Sequence, residues 1–157
     1  MPARTVRDQA IEALARRAVT DVSPAELPIF TATAARYRAD PKGTMADATA
    51  GDRALGFGVE AAVILVTPFA LDLVKRLFTR LSEKLGDSAA DSLAGRITTL
   101  FGGRPDDGVS TEPEPLSPSQ LALIAETTRA EAAGLALAPE ESDRLANAVV
   151  AALATRA

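Results

Sequence analysis

The clearest pattern in the chain is a row of apolar residues four positions apart, Phe69, Leu73, Leu77, Leu81 and Leu85, flanked by Ala70, Val74 and Phe78. Asp72, Lys75, Arg76, Arg80, Glu83 and Lys84 fall mostly on the opposite side. One wet face and one dry face at a 3.6-residue period predict an amphipathic helix. Just before it, Ala61 to Leu71 carries no charge, so that 54–85 is the most apolar part of the sequence. Pro68 lacks a backbone donor and should kink or break any helix near Val66 or Thr67, dividing this element into an apolar half and an amphipathic half.

The apolar half admits two readings. Ala61 to Leu71 is too short to cross a bilayer core, which takes roughly 20 apolar residues. Widened to Ala54–Val74, the window reaches spanning length but includes Glu60 and Asp72. Its apolar residues contribute about −3 to −7 kcal/mol toward insertion, and two carboxylates at up to about +3 each nearly cancel this. Small residues recur on one face at Ala54, Gly58, Ala62 and Ala70, with Val66 between them, a spacing that lets two helices approach closely. Ala54, Gly58, Ala62, Val63, Leu65, Val66 and Phe69 are therefore the candidate helix-packing or membrane face. Lys75, Arg76, Arg80 and Lys84 form its basic flank, suited to a solvated bundle helix or to an anionic lipid surface.

The other segments read as helices around this element. From Arg4 to about Val19, the residues Val6, Ala10, Leu14 and Ala18 share a face. Ser23-Pro24-Ala25-Glu26 has the form of a capping box, with a start that can slip to Glu26 or Leu27 because of Pro28. Ile29, Phe30, Thr33, Ala34 and Tyr37 form the apolar side of that helix, and Asp40-Pro41 ends it. Lys42 to Asp52 reads as a connection and a natural hinge. After Gly86, Asp87 or Ser88 caps a helix carrying Leu93, Ile97, Leu100 and Phe101.

Arg104 to Leu116 is rich in Pro, Gly and acidic residues and has almost no apolar content, the composition of an exposed linker. Beyond it, Ser117-Pro118 opens a helix with Leu121, Ile124, Ala125, Thr128 and Ala132 on one side, and Pro139 opens another with Leu145, Val149 and Leu153 at i+4. Such a hairpin of about 40 residues is rarely stable alone. It should dock on residues 1–101, on a second copy or on another protein, with Leu121, Ile124, Leu145, Val149 and Leu153 as its interface. The expected organisation is an all-α bundle of four to five helices over 1–101, a linker over 102–117 and an αα-hairpin over 118–157.

Composition supports that class and narrows the chemistry. The 157 residues are 47% hydrophobic but only 4% aromatic, without Trp, so the core is built from Ala, Leu and Val. There is no Cys and no His. That removes disulfides, thiol nucleophiles, Cys or imidazole metal ligands and the usual general base. The net charge is −4 and uneven: from Pro105 onward nine carboxylates face Arg129, Arg144 and Arg156, while the rest is slightly basic. No basic stripe is interleaved with aromatics, which argues against nucleic acid. The N-terminal stretch lacks the apolar core of a secretory signal, making cytoplasm the default compartment.

No motif assigns a reaction. Gly56-Phe57-Gly58-Val59-Glu60-Ala61 fits a permissive dinucleotide fingerprint, but follows a polar run rather than a strand. Glu60 and Asp72 are the carboxylates expected to be most buried. Pairing of Glu60 with Arg53, and of Asp72 with Lys75 or Arg76, accounts for them without catalysis. No cofactor is implied. Two functional classes stand: a non-enzymatic helical adaptor or self-assembling protein, and a membrane effector whose 54–85 segment inserts after a trigger.

Overall fold

The computed structural model describes residues 6–54, 66–101, 117–135 and 137–154, and all its regular elements are helical. They are α1 (Val6–Val22), a 3-10 turn at Pro24–Glu26, α2 (Leu27–Ala39), α3 (Pro41–Ala54), α4 (Thr67–Leu85), α5 (Asp87–Phe101), α6 (Pro118–Ala133) and α7 (Pro139–Ala154). The all-α class and the C-terminal helical hairpin expected from periodicity are both present.

Helix α4 lies at the centre, in contact with α1, α2, α3, α5 and α6. Phe69, Leu73, Leu77 and Leu81 of the i+4 row are buried together with Ala70, Leu71, Val74 and Phe78, while Leu85 at the helix end is half exposed. A buried Leu or Phe contributes about 1.5–3 kcal/mol each, which makes this row the largest single block of the core. Pro68 sits in the first turn of α4, where its missing donor costs nothing. At the other end Gly86, with φ 94, stops the helix in a backbone region that side-chain-bearing residues rarely enter.

Helix α1 is the second hub, packing on α4, α5 and α7 through Ala10, Leu14, Ala15, Ala18 and Val19, all fully buried. Alanines from the facing helices, Ala90 and Ala94 on α5 and Ala148 and Ala152 on α7, keep these contacts close. Arg7 of α1 adds an ion pair to Asp91 of α5 at 2.9 Å. The hairpin docks on residues 6–101: α7 lies on α1 and α6 on α4, and Ile124, Leu145, Val149 and Leu153 belong to the same buried cluster as α4. Ser117 and Gln120 form a complete capping box at the start of α6.

Three local expectations are corrected. Lys42–Asp52 is not a connection but most of α3. Asp40 terminates α2 and also starts α3, its Oδ1 accepting from the Gly43 N–H at 3.0 Å and its carbonyl from the Thr44 N–H at 3.0 Å. A residue that reads as a stop signal is also an N-cap. Ser23 makes no side-chain cap hydrogen bond, so no local capping box forms; Pro24–Glu26 turn as a 3-10 segment and Glu26 is directed elsewhere. Ile29, expected on the apolar side of α2, is 42% exposed, whereas Phe30, Ala34 and Tyr37 are buried.

Candidate functional site

The polar side of α4 is the floor of an open groove of about 620 Å³. One wall is the end of α2 and the first turns of α3, with Tyr37, Pro41, Lys42 and Met45; the other is the end of α6 and the following turn, with Glu131, Gly134 and Leu135. These walls flank the floor because α2, α3 and α6 each pack on α4. The same periodicity that buries Leu73 and Leu77 sets Asp72, Lys75, Arg76, Thr79, Arg80 and Glu83 along the floor.

A chain of polar contacts crosses the groove. The Tyr37 hydroxyl donates to Asp72 Oδ1 at 2.7 Å, and Arg76 Nε donates to Asp72 Oδ2 at 2.8 Å. Arg80 Nε donates to Glu131 Oε2 at 3.0 Å and its Nη1 to Glu83 at 3.1 Å. Arg76 also stands 4.0 Å from Glu131. Burial, and then the adjacent Asp72 carboxylate, pushes the Tyr37 phenol above its ordinary value of 10. The hydrogen bond to Glu131, followed by that carboxylate's charge, holds the Arg80 guanidinium above its ordinary range.

Two cations of the groove are differently placed. Lys75 lies over the Tyr37 ring at 5.6 Å, and Lys42 is exposed at the start of α3. Among the described residues, neither has a carboxylate within ion-pair distance. The groove thus holds four cations against three carboxylates, a local positive excess in a chain of net charge −4.

The residues singled out from sequence divide by location. Gly58, Ala62, Val63 and Leu65 lie outside the described residues, as does Glu60; Ala54 ends α3, and Val66 and Phe69 are buried at the start of α4. Of the basic flank, Lys75, Arg76 and Arg80 meet in the groove, while Lys84 is exposed beyond it. Asp72 pairs with Arg76, one of the two partners anticipated. The hairpin residues Ile124, Leu145, Val149 and Leu153 are buried against α1 and α4, with Leu121 half-buried, so that face is occupied by this chain.

Sequence reasoning missed Glu26. Its carboxylate is buried, 6% exposed, and closes the start of α4: Oε2 accepts from the Val66 N–H at 2.9 Å, and Oε1 from the Thr67 N–H at 2.9 Å and the Thr67 hydroxyl at 2.8 Å. Three donors and the positive end of the helix dipole balance the charge. A carboxylate three positions after Ser-Pro is indistinguishable in sequence from a local cap, and no signal there announces the longer reach.

Among the described residues no group of three acidic, His or Cys side chains could hold a metal ion, and no helix is long and apolar enough to cross a membrane. No protein-family model, curated protein or solved structure matches the chain.

Proposed function

We propose that this is a non-enzymatic helical interaction protein, an adaptor in the cytoplasm that holds another protein in the groove on α4. The observation that carries the reading is the open groove itself, which brings accessible cations and apolar side chains together along α4. The site's carboxylates support it from the chemical side: Asp72, Glu83 and Glu131 are all engaged by Tyr37, Arg76 or Arg80, which leaves no carboxylate there poised as a base. The hairpin was the other candidate for recruiting a partner, but its apolar row is spent on α1 and α4.

The reading is tested by photo-crosslinking in extract of the source cells, with the crosslinker placed at Thr79 on the groove floor and, as control, at exposed Ser92 on α5. A partner held in the groove gives a discrete adduct from Thr79 and none from Ser92. Excess unlabelled wild-type protein suppresses that adduct, whereas a Met45→Arg variant, which fills the groove, does not. Equal labelling at both positions, or suppression by both competitors alike, overturns the assignment.

A further inference from the structure

We infer that the occupant of the groove is an acidic amphipathic α-helix of a partner protein, seated along α4 with its carboxylates toward Lys42 and Lys75. The inference rests on the groove being an interaction surface and adds the chemical class of what it holds.

Length and openness come first. The floor runs from Asp72 to Glu83, about 16 Å at 1.5 Å per residue, which matches about three turns of a helix laid alongside. The groove is open rather than closed over, so an elongated object enters from the side instead of being swallowed like a small ligand. Its floor is the middle of α4, whose backbone donors and acceptors are satisfied within the helix, so an extended peptide finds no strand edge to pair with along it. A second helix needs none. It requires apolar contacts for its own apolar side chains, and the half-buried Met45 and Pro41 on one wall provide them.

Charge then selects among helices. Each groove carboxylate is already matched by a cation or by the Tyr37 hydroxyl, whereas Lys42 and Lys75 have no carboxylate within ion-pair distance among the described residues. A basic or neutral helix leaves both lysines unmatched, and an acidic one matches them. Nucleic acid is disfavoured at the same place, because Arg76 and Arg80 are neutralised and three carboxylates would face the phosphates.

The experiment is fluorescence anisotropy on the full chain with two labelled, hydrocarbon-stapled peptides of about four turns. Both carry Leu at i, i+3 and i+7; one has Glu and the other Lys at the flanking positions. The Glu peptide is expected to bind at least tenfold more tightly than the Lys peptide, and less tightly as salt rises. The double reversal Lys42→Glu with Lys75→Glu should invert that order while leaving the circular dichroism spectrum unchanged. Preference for the Lys peptide, abolished by Met45→Arg, overturns the acidic partner but keeps the groove as an interaction surface. Binding of neither peptide, with no groove-specific crosslink at Thr79, overturns both. Should anionic vesicles bind the chain, and the double reversal abolish this while neither peptide binds, the occupant is a lipid surface and the inference fails.

Discussion

Glu26 and Thr67 are 41 positions apart, yet Glu26 Oε1 accepts both the backbone N–H and the hydroxyl of Thr67, at 2.9 and 2.8 Å. The contact ties the turn before α2 to the start of the central helix. A helix start ordinarily relies on the residue just before it, and here Val66 provides no side-chain cap. The capping group comes from another part of the chain, so the start of α4 is stabilised by a tertiary contact rather than by a local one.

Substitutions at this contact should be graded. Glu26→Ala strands two buried backbone donors and a hydroxyl and is expected to cost about 3 kcal/mol or more; Glu26→Gln, which removes the charge from the helix's positive end, about 1–3. Thr67→Val, which leaves both N–H contacts intact, should cost about 1 kcal/mol or less. Urea unfolding midpoints supply the ranking. Equal midpoints for Glu26→Ala and wild type would contradict the cap.

The hairpin and the rest of the chain should unfold together. Leu145 is fully buried on α7, and truncation to Ala is expected to cost about 2–5 kcal/mol. Tyr37, the sole tyrosine, reports from α2, outside the hairpin, where it bonds Asp72 of α4. In Leu145→Ala the urea midpoint read by Tyr37 fluorescence should fall together with that read by circular dichroism. A Tyr37 midpoint left at the wild-type value would mark the hairpin as a separate unit.

Alkaline pH should act through Tyr37. Its phenol is raised above the ordinary 10 chiefly by burial and secondly by Asp72, so the folded protein holds that proton more tightly than the unfolded chain does. The corresponding stability is complete below about pH 10 and declines as pH rises further. Spectrophotometric titration should therefore show phenolate appearing together with unfolding rather than before it. Asp72→Asn should bring the titration to lower pH, and Tyr37→Phe should flatten the decline in stability above pH 10.

Two glycines should respond in opposite directions. At Gly86 an added Cβ meets nothing within 4 Å, but φ is 94, so Gly86→Ala carries a purely conformational cost of about 1–3 kcal/mol. At Gly95, inside α5, the space is equally open and the backbone is helical, so Gly95→Ala should stabilise by about 0.5–1 kcal/mol. Thermal midpoints of the two variants should fall on either side of wild type.

What could be read in the sequence was whatever is encoded within about four residues. The i+4 rows of α4 and α7, the stop at Gly86 and the helix start at Ser117-Pro118 are local patterns, and each has its counterpart in the fold. Helix α3 escaped because Gly43 and Gly51 and a single large apolar residue, Met45, give it weak propensity. Asp40 at its start and packing on α2 and α4 support it instead. The groove escaped for another reason. Lys75 and Arg76 are neighbours with identical charge, and only the positions of Tyr37, Asp72 and Glu131 in space separate the cation that stays available from the one that is neutralised. The small-residue face at Gly58 and Ala62 lies outside the described residues, and the fold bears on it only through the buried Val66 and Phe69 that follow.

The contact between α1 and α7 has a consequence for how the molecule is made. A ribosome releases α1 well before α7, so the side of α1 that α7 will cover waits, wet and uncovered, while the helices between them are made. Closure of this seam is thus timed to the arrival of α7. A chain halted before Pro139 is left with that seam open, a mark by which quality control can recognise a fragment.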